Sequence, residues 1–349
     1  MNTSFKPGGI WLDTDGKRIQ AHGASIFRIG EKYFLYGENK ENTDGKNGIW
    51  HWGVRYYSSN DLYNWKDEGL LIPPVSDKPD STLAPDSCMD RPHIVYCGHS
   101  GKYVCWLKIM EKDGIQDMTV LTAERFQGPY TVAHEHLRPA GMSTGDFDIA
   151  TDGDGRAYMY FERVHSELIC VRLTRDYTGF TDEYGSHFPH PEGPPFVREA
   201  PCHFERDGKH YLITSGTSGY YPNPSEIAVS DSFEGPFEVL GSPHVGDETG
   251  TSFHSQISSV FKVPGKDNLY IALADRWLPE CGNITYADEL EVIGCIKSKD
   301  FAKLAALKQR LRLPDAENTS AADYVWLPLV FENGLPLIRW HDEWRIEDF

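Results

Sequence analysis

The chain is poor in several features that define large functional classes. None of its 349 residues belongs to an apolar run near the roughly 20 that a membrane helix needs. The opening stretch, MNTSFKPGGIWLDTDGKRIQ, has no apolar core of the signal-peptide kind. Positive charge is scarce: 34 Lys and Arg stand against 52 Asp and Glu, a net −18. A nucleic-acid backbone or an anionic membrane needs a cationic face, so neither is expected as a partner. A neutral ligand such as a sugar meets no such repulsion. The seven cysteines, at 88, 97, 105, 170, 202, 281 and 295, form no C-x-x-C pair and sit mostly in apolar runs. Reduced, buried thiols in a cytoplasmic protein are the expectation, and no metal site is assigned. There is no phosphate-binding loop and no dinucleotide fingerprint, so no organic cofactor is implied.

What is abundant is aromatic side chains and repetition. Nine Trp and 18 Tyr exceed what an ordinary core requires. Acidic or polar knots closed by an aromatic recur: Asn60-Asp61-Leu62-Tyr63, Glu124-Arg125-Phe126, Arg175-Asp176-Tyr177 and Asp231-Ser232-Phe233, with a weaker echo at Ser298-Lys299-Asp300-Phe301. Between them stand similar alternating runs opening at Lys32, Lys102, Arg156, Lys209 and Asn268. Five repeats of one strand pattern point to an all-β, five-bladed β-propeller spanning residues 1–349 as a single domain. One stretch breaks the pattern. Residues 299–313 have apolar positions at helical spacing and stop at Pro314, which predicts a short helical insertion in the last blade.

A propeller gathers the starts of its innermost strands around a central channel. The polar residues opening those strands are His22, Asp90, Asp146, Glu199 and Gln256. Three are carboxylates from three repeats. Crowded carboxylates raise one another's pKa, which is what a general acid acting on a glycosidic oxygen requires. Trp106 and Trp277 are either walls of such a pocket or plain core, and His51 with Trp52 are candidates for its rim.

The strings Asp90-Arg91-Pro92-His93, Arg198-Glu199-Ala200-Pro201, Thr214-Ser215-Gly216-Thr217-Ser218-Gly219-Tyr220, Ser255-Gln256 and Tyr324-Val325-Trp326-Leu327-Pro328 resemble glycoside hydrolase family 43. They are most similar to its exo-β-1,3-galactanase branch. The resemblance implies inverting hydrolysis, with Glu199 as general acid, Asp146 as the aspartate that orients it, and Gln256 as a water-positioning amide. It also implies a sugar-binding role for Glu38, Asp90, Ser218 and Tyr220, the last standing where the branch has Trp. The wider family carries a base aspartate near the start of the first blade, where this chain reads Gln20-Ala21-His22. His22 is then either a replacement base or a structural histidine. Gly145 replaces a branch arginine, which is expected to open space beside Asp146. A channel calcium occurs in some members, but no oxygen-rich ligand set is legible here. The expected substrate is a β-1,3-galactan oligosaccharide. The alternatives are an α-L-arabinofuranoside or β-xyloside, and a non-catalytic sugar-binding propeller. The oligomeric state is not legible.

Overall fold

The computed structural model describes residues 1–281 and 284–349. Its strands form five sheets arranged as the blades of a propeller, antiparallel except where His244–Val245 runs parallel to Leu335–Arg339 at the edge of the last. The inner strands are His22–Ile29, Cys88–Cys97, Thr144–Thr151, Arg198–Arg206 and Gln256–Lys262, in blades I to V. The second strands are Lys32–Glu38, Lys102–Met110, Ala157–Arg163, Lys209–Gly216 and Tyr270–Arg276, where the alternating runs had placed them. In blades I to IV the aromatic knots follow the third strands. The fifth echo does not: Ser298 to Phe301 joins two helices, and the third strand of blade V instead turns at Asn333-Gly334.

The second strands are buried on both faces for most of their length, whereas the outermost strands, such as Thr131–Leu137, are largely exposed. The excess Trp has a structural use at the closure of the ring. Phe5 pairs in an antiparallel bridge with Trp344, and Trp65, Trp326 and Trp344 pack around it in one core cluster. The N-terminal segment is thereby tied to blades I and V.

The helical insertion is larger than the sequence suggested. It comprises α1 (Tyr286–Ser298) and α2 (Phe301–Leu311), between the second and third strands of blade V. Thr285 and Asp288 form a capping box on α1, while Lys299 closes it in the left-handed region at φ 57° and Asp300 caps α2. The apolar residues of α1 do not form a clean stripe: Val292 and Cys295 are buried, and Ile296 is exposed. Periodicity alone therefore passes over it.

Candidate active site

The inner strands of all five blades carry a break in register close to their channel end. The breaks fall at 22–25, 90–93, 144–147, 199–202 and 257–259. A bulge re-aims side chains that regular pleating would send to the neighbouring blade. In blades II and IV the bulge has a sequence signature. Arg91 and Ala200 adopt positive φ, 53° and 47°, directly before Pro92 and Pro201. Proline has no N–H for the ladder, and the preceding residue is barred from the right-handed helical region. The local strain turns Asp90 and Glu199 into the channel.

The pocket formed there, about 260 Å³, is lined by Glu38, Asp90, Arg91, Lys108, Asp146, Glu199 and Gln256, with Trp50, Tyr220 and Trp277 at its wall. Arg91 is its central cation. Its Nη2 lies 3.1 Å from Asp146 Oδ2 and donates to Gln256 Oε1 at 2.6 Å, while its backbone N–H donates to Glu38 Oε1 at 2.9 Å. Lys108 Nζ sits 2.9 Å from Asp90 Oδ2 and 3.4 Å from Asp146 Oδ1. Lys40 Nζ lies 2.9 Å from Glu38 Oε2, so Glu38 both lines the pocket and is ion-paired. Trp50 Nε1 donates to Asp90 Oδ1 at 2.7 Å. Burial pushes Glu38 up to about 7. Burial acts the same way on Asp90, but Lys108 and Lys40 outweigh it and hold that carboxyl at about 2.

Gln256 is held from four directions. Its Oε1 accepts from Arg91 Nη2 and, at 3.2 Å, from Trp277 Nε1; its Nε2 donates to Glu199 Oε1 at 3.1 Å and to Ser215 Oγ at 3.0 Å. Guanidinium and indole N–H groups only donate, so the amide oxygen must face them and the nitrogen must face Glu199. Oε1 of Glu199 is therefore an acceptor, which leaves Oε2 to carry a proton. Burial first, then the charges of Asp146 and Glu162, raise Glu199 well above the ordinary carboxylate range, with Arg91 and Lys108 opposing. Arg198 is not its partner: that guanidinium pairs with Glu226.

Glu162 was not singled out in the sequence. Gly145 does not open space as expected, because a Cβ there would stand 2.3 Å from Glu162 Oε2. The carboxylate of blade III's second strand fills the gap. Its other oxygen accepts from the His165 backbone N–H at 2.7 Å.

Four further expectations are revised. Trp106 lies on the same strand face as Lys108 but two residues deeper, about 7 Å along the strand. It is fully buried in the core between blades II and III, and its Nε1 donates to Tyr177 O at 2.9 Å. His51 is buried with Nε2 on the Ala84 carbonyl at 2.9 Å, and the rim aromatic from that loop is Trp50 rather than Trp52. His22 is fully buried, with Nδ1 2.9 Å from Asp275 Oδ1 and Nε2 3.2 Å from Gln20 Oε1. Both ring nitrogens are occupied, which is the structural rather than the basic role. Ser218 is set back from the pocket: its Oγ donates to Tyr221 O at 2.7 Å and accepts from Asn223 Nδ2 at 2.5 Å, which shapes the loop that presents Tyr220.

Below the pocket, Asp148 is engaged by His93 Nε2 and the His203 N–H, each at 2.5 Å, and Asp275 by His22 and the Gly23 N–H. Protein donors satisfy these carboxylates, so among the described residues the channel keeps no oxygen-rich set for a hard cation.

The model of glycosyl hydrolases family 43 matches residues 18–276. A family 43 β-1,3-galactosidase solved with galactodeoxynojirimycin superposes with a TM-score of 0.78 at 25% identity, covering 98% of this chain and 100% of that one. An exo-β-1,3-galactanase from Phanerochaete chrysosporium, solved with β-1,3-galactotriose, reaches 0.76 at 23% identity over 98% of this chain and 68% of that one. Curated relatives carry other names. Xylosidase/arabinosidase 43B of Humicola insolens is 26% identical over 62% of this chain and 39% of its own length. A putative β-xylosidase of Escherichia coli K12 is 26% identical over 92% of this chain and 54% of its own length. The chain thus spans about half or less of the length of these two curated relatives. With a matched family model over most of the sequence, and a buried carboxyl raised well above its ordinary range among carboxylates at the hub of five blades, the chain belongs to glycosyl hydrolase family 43.

Proposed function

We propose that the protein is an inverting, exo-acting glycoside hydrolase that releases galactose from the non-reducing end of β-1,3-galactan oligosaccharides. The observation that carries this reading is Glu199: a carboxyl raised by burial and by Asp146, its Oε1 fixed by Gln256, at a pocket the size of a single sugar ring. Glu199 donates its Oε2 proton to the glycosidic oxygen as that bond breaks. Asp146, clamped by Arg91 and Lys108, keeps the acid oriented and protonated. Asp90, Glu38 and Lys108 receive the ring hydroxyls, and Trp277 and Tyr220 supply apolar faces.

Water must attack from the opposite face. Asp90 is too weak a base at about 2, and Glu38 is committed to the Arg91 N–H, to Lys40 and to a ring hydroxyl. Gln256 orients the water, once bound substrate displaces one of the two donors on its Oε1; as the water oxygen bonds to the anomeric carbon its proton passes to solvent at the pocket mouth, and Glu199 regains a proton from solvent after the leaving group departs. The galactosidase and galactanase relatives support the sugar assignment. Free, mostly buried cysteines suit a cytoplasmic location and therefore short, imported oligosaccharides.

A second reading, favoured by the names of the curated relatives, keeps the acid and changes the sugar to an arabinofuranose or xylose. Incubation with β-1,3-galactobiose and with aryl galactoside, arabinofuranoside and xyloside separates the two, with product anomers followed by NMR. The expected result is galactose appearing first as the α-anomer and disappearing in Glu199→Gln. Release of a pentose alone would establish the second reading. Sugar binding without turnover of any substrate would make the protein a binding propeller.

A further inference from the structure

We propose that the far end of blade IV binds a divalent first-row transition cation, of which zinc fits best, through His203 Nε2, His210 Nδ1 and a carboxylate oxygen of Glu205. The site is separate from the catalytic pocket and does not depend on which sugar is cleaved. Glu205 stands six residues beyond Glu199 on the same inner strand, about 20 Å along it.

The local sequence builds the arrangement. In Glu205-Arg206-Asp207-Gly208-Lys209-His210, Arg206 pairs with Lys209, which leaves a two-residue turn of Asp207 and Gly208 at φ 51° and 74°. That turn fixes the register, so Glu205 lies directly opposite His210. His203, two residues before Glu205, belongs to the same face of the sheet. The donor atoms of the three side chains lie within 4.8 Å of one another, and the two imidazole nitrogens are 3.2 Å apart. Two nitrogens bound at about 2.0–2.1 Å to a tetrahedral zinc stand about 3.3 Å apart. The imidazoles thus already hold ligand spacing, and rotation of the exposed Glu205 side chain completes a three-ligand face open to water.

The rings are held in place beforehand. His203 stacks with Tyr160 of blade III at 5.3 Å and 13° and with Phe233 at 5.3 Å and 25°, and His210 packs 4.1 Å from the same Phe233. Tyr160 Oη donates to the Phe233 carbonyl oxygen at 2.7 Å, which ties the two aromatics together. Burial holds both imidazoles below their ordinary pKa, His203 at about 4, so both are neutral ligands near pH 7. Lys209, the adjacent cation, is neutralised by its pair with Asp231. Two imidazoles with one carboxylate suit zinc or a similar ion and not calcium, which takes about six to eight oxygens. A bound ion cross-links the first two strands of blade IV at their hairpin, so its role is structural.

The test titrates chelator-treated protein with zinc chloride alone, by calorimetry and by melting temperature, in wild type, His210→Gln and Glu205→Gln. One equivalent per chain is expected in wild type, with a melting temperature raised by zinc. Glu205→Gln should weaken binding by about 10–100-fold and His210→Gln by more, since loss of an outer-shell partner alone costs about that much. If His210→Gln fails to fold, Glu205→Gln, at an exposed position, is read together with the cobalt(II) absorption spectrum of wild type. No stoichiometric binding, binding unchanged in the folded variants, or a cobalt(II) spectrum with thiolate charge transfer would overturn the site.

Discussion

Asp146 gives the sharpest quantitative expectation. Its carboxylate is the largest charge raising Glu199, and it also neutralises Arg91 and Lys108. In Asp146→Asn the local charge changes by one positive unit, and both cations act on Glu199 unopposed. A unit charge acting over about 6–8 Å at an effective dielectric of about 20 is worth about 2–3 kcal/mol, equivalent to about 1.5–2 pH units. Water at the pocket mouth reduces this, so the expected shift is about one unit. A general acid must be protonated to work, so activity falls as pH rises through its pKa. Lowering that pKa moves the alkaline limb of the kcat/KM profile toward acid pH. Glu199→Gln is the control: it removes the limb and costs about 10²–10⁴-fold on an oligosaccharide, and less on an aryl glycoside whose leaving group needs no proton. The assay is a pH–rate profile on β-1,3-galactobiose. An alkaline limb that stays in place, or moves up, in Asp146→Asn would refute the electrostatic account of the acid.

Three other expectations follow from buried groups. Glu289 of α1 is buried beneath the Ser218 loop, and burial raises its carboxyl to about 8. The unfolded chain ionises near its ordinary value of 4.5, so the stability this group leaves in place at low pH is lost as pH rises from there to about 8; Glu289→Gln should raise the melting temperature at pH 8 and change it least at pH 4, and a uniform shift across pH would disprove this. Trp106→Ala should cost about 3–5 kcal/mol in denaturant unfolding with KM unchanged, whereas Tyr220→Ala should raise KM with little loss of stability. His22→Ala leaves Asp275 buried without its imidazole partner, with an expected loss of about 3–5 kcal/mol; a variant of unchanged stability and altered pH–rate profile would restore His22 as a base.

The strand pattern and the inner-strand openers were legible because each repeat uses the same local chemistry: a polar turn, an apolar strand, and a carboxylate or amide at its start. Arg91 was visible only as a letter in a motif. Its long side chain crosses the channel to meet Asp146 from blade III and Gln256 from blade V, and no spacing within one chain segment encodes that meeting. Lys108 and Trp106 illustrate the same limit, since they share a strand face and differ only in depth. Glu162 was missed because its effect depends on an empty Cβ position at Gly145 on the neighbouring strand.

The sequence by itself determined the propeller, the family and the carboxyl group at Glu199, because these rest on local periodicity and short strings that fix backbone conformation. Tertiary structure alone decided the upward shift of that carboxyl, the orientation of the Gln256 amide and the structural role of His22. Those properties arise from desolvation and from charges brought together by closure of the ring, and both depend on distance in space rather than along the chain.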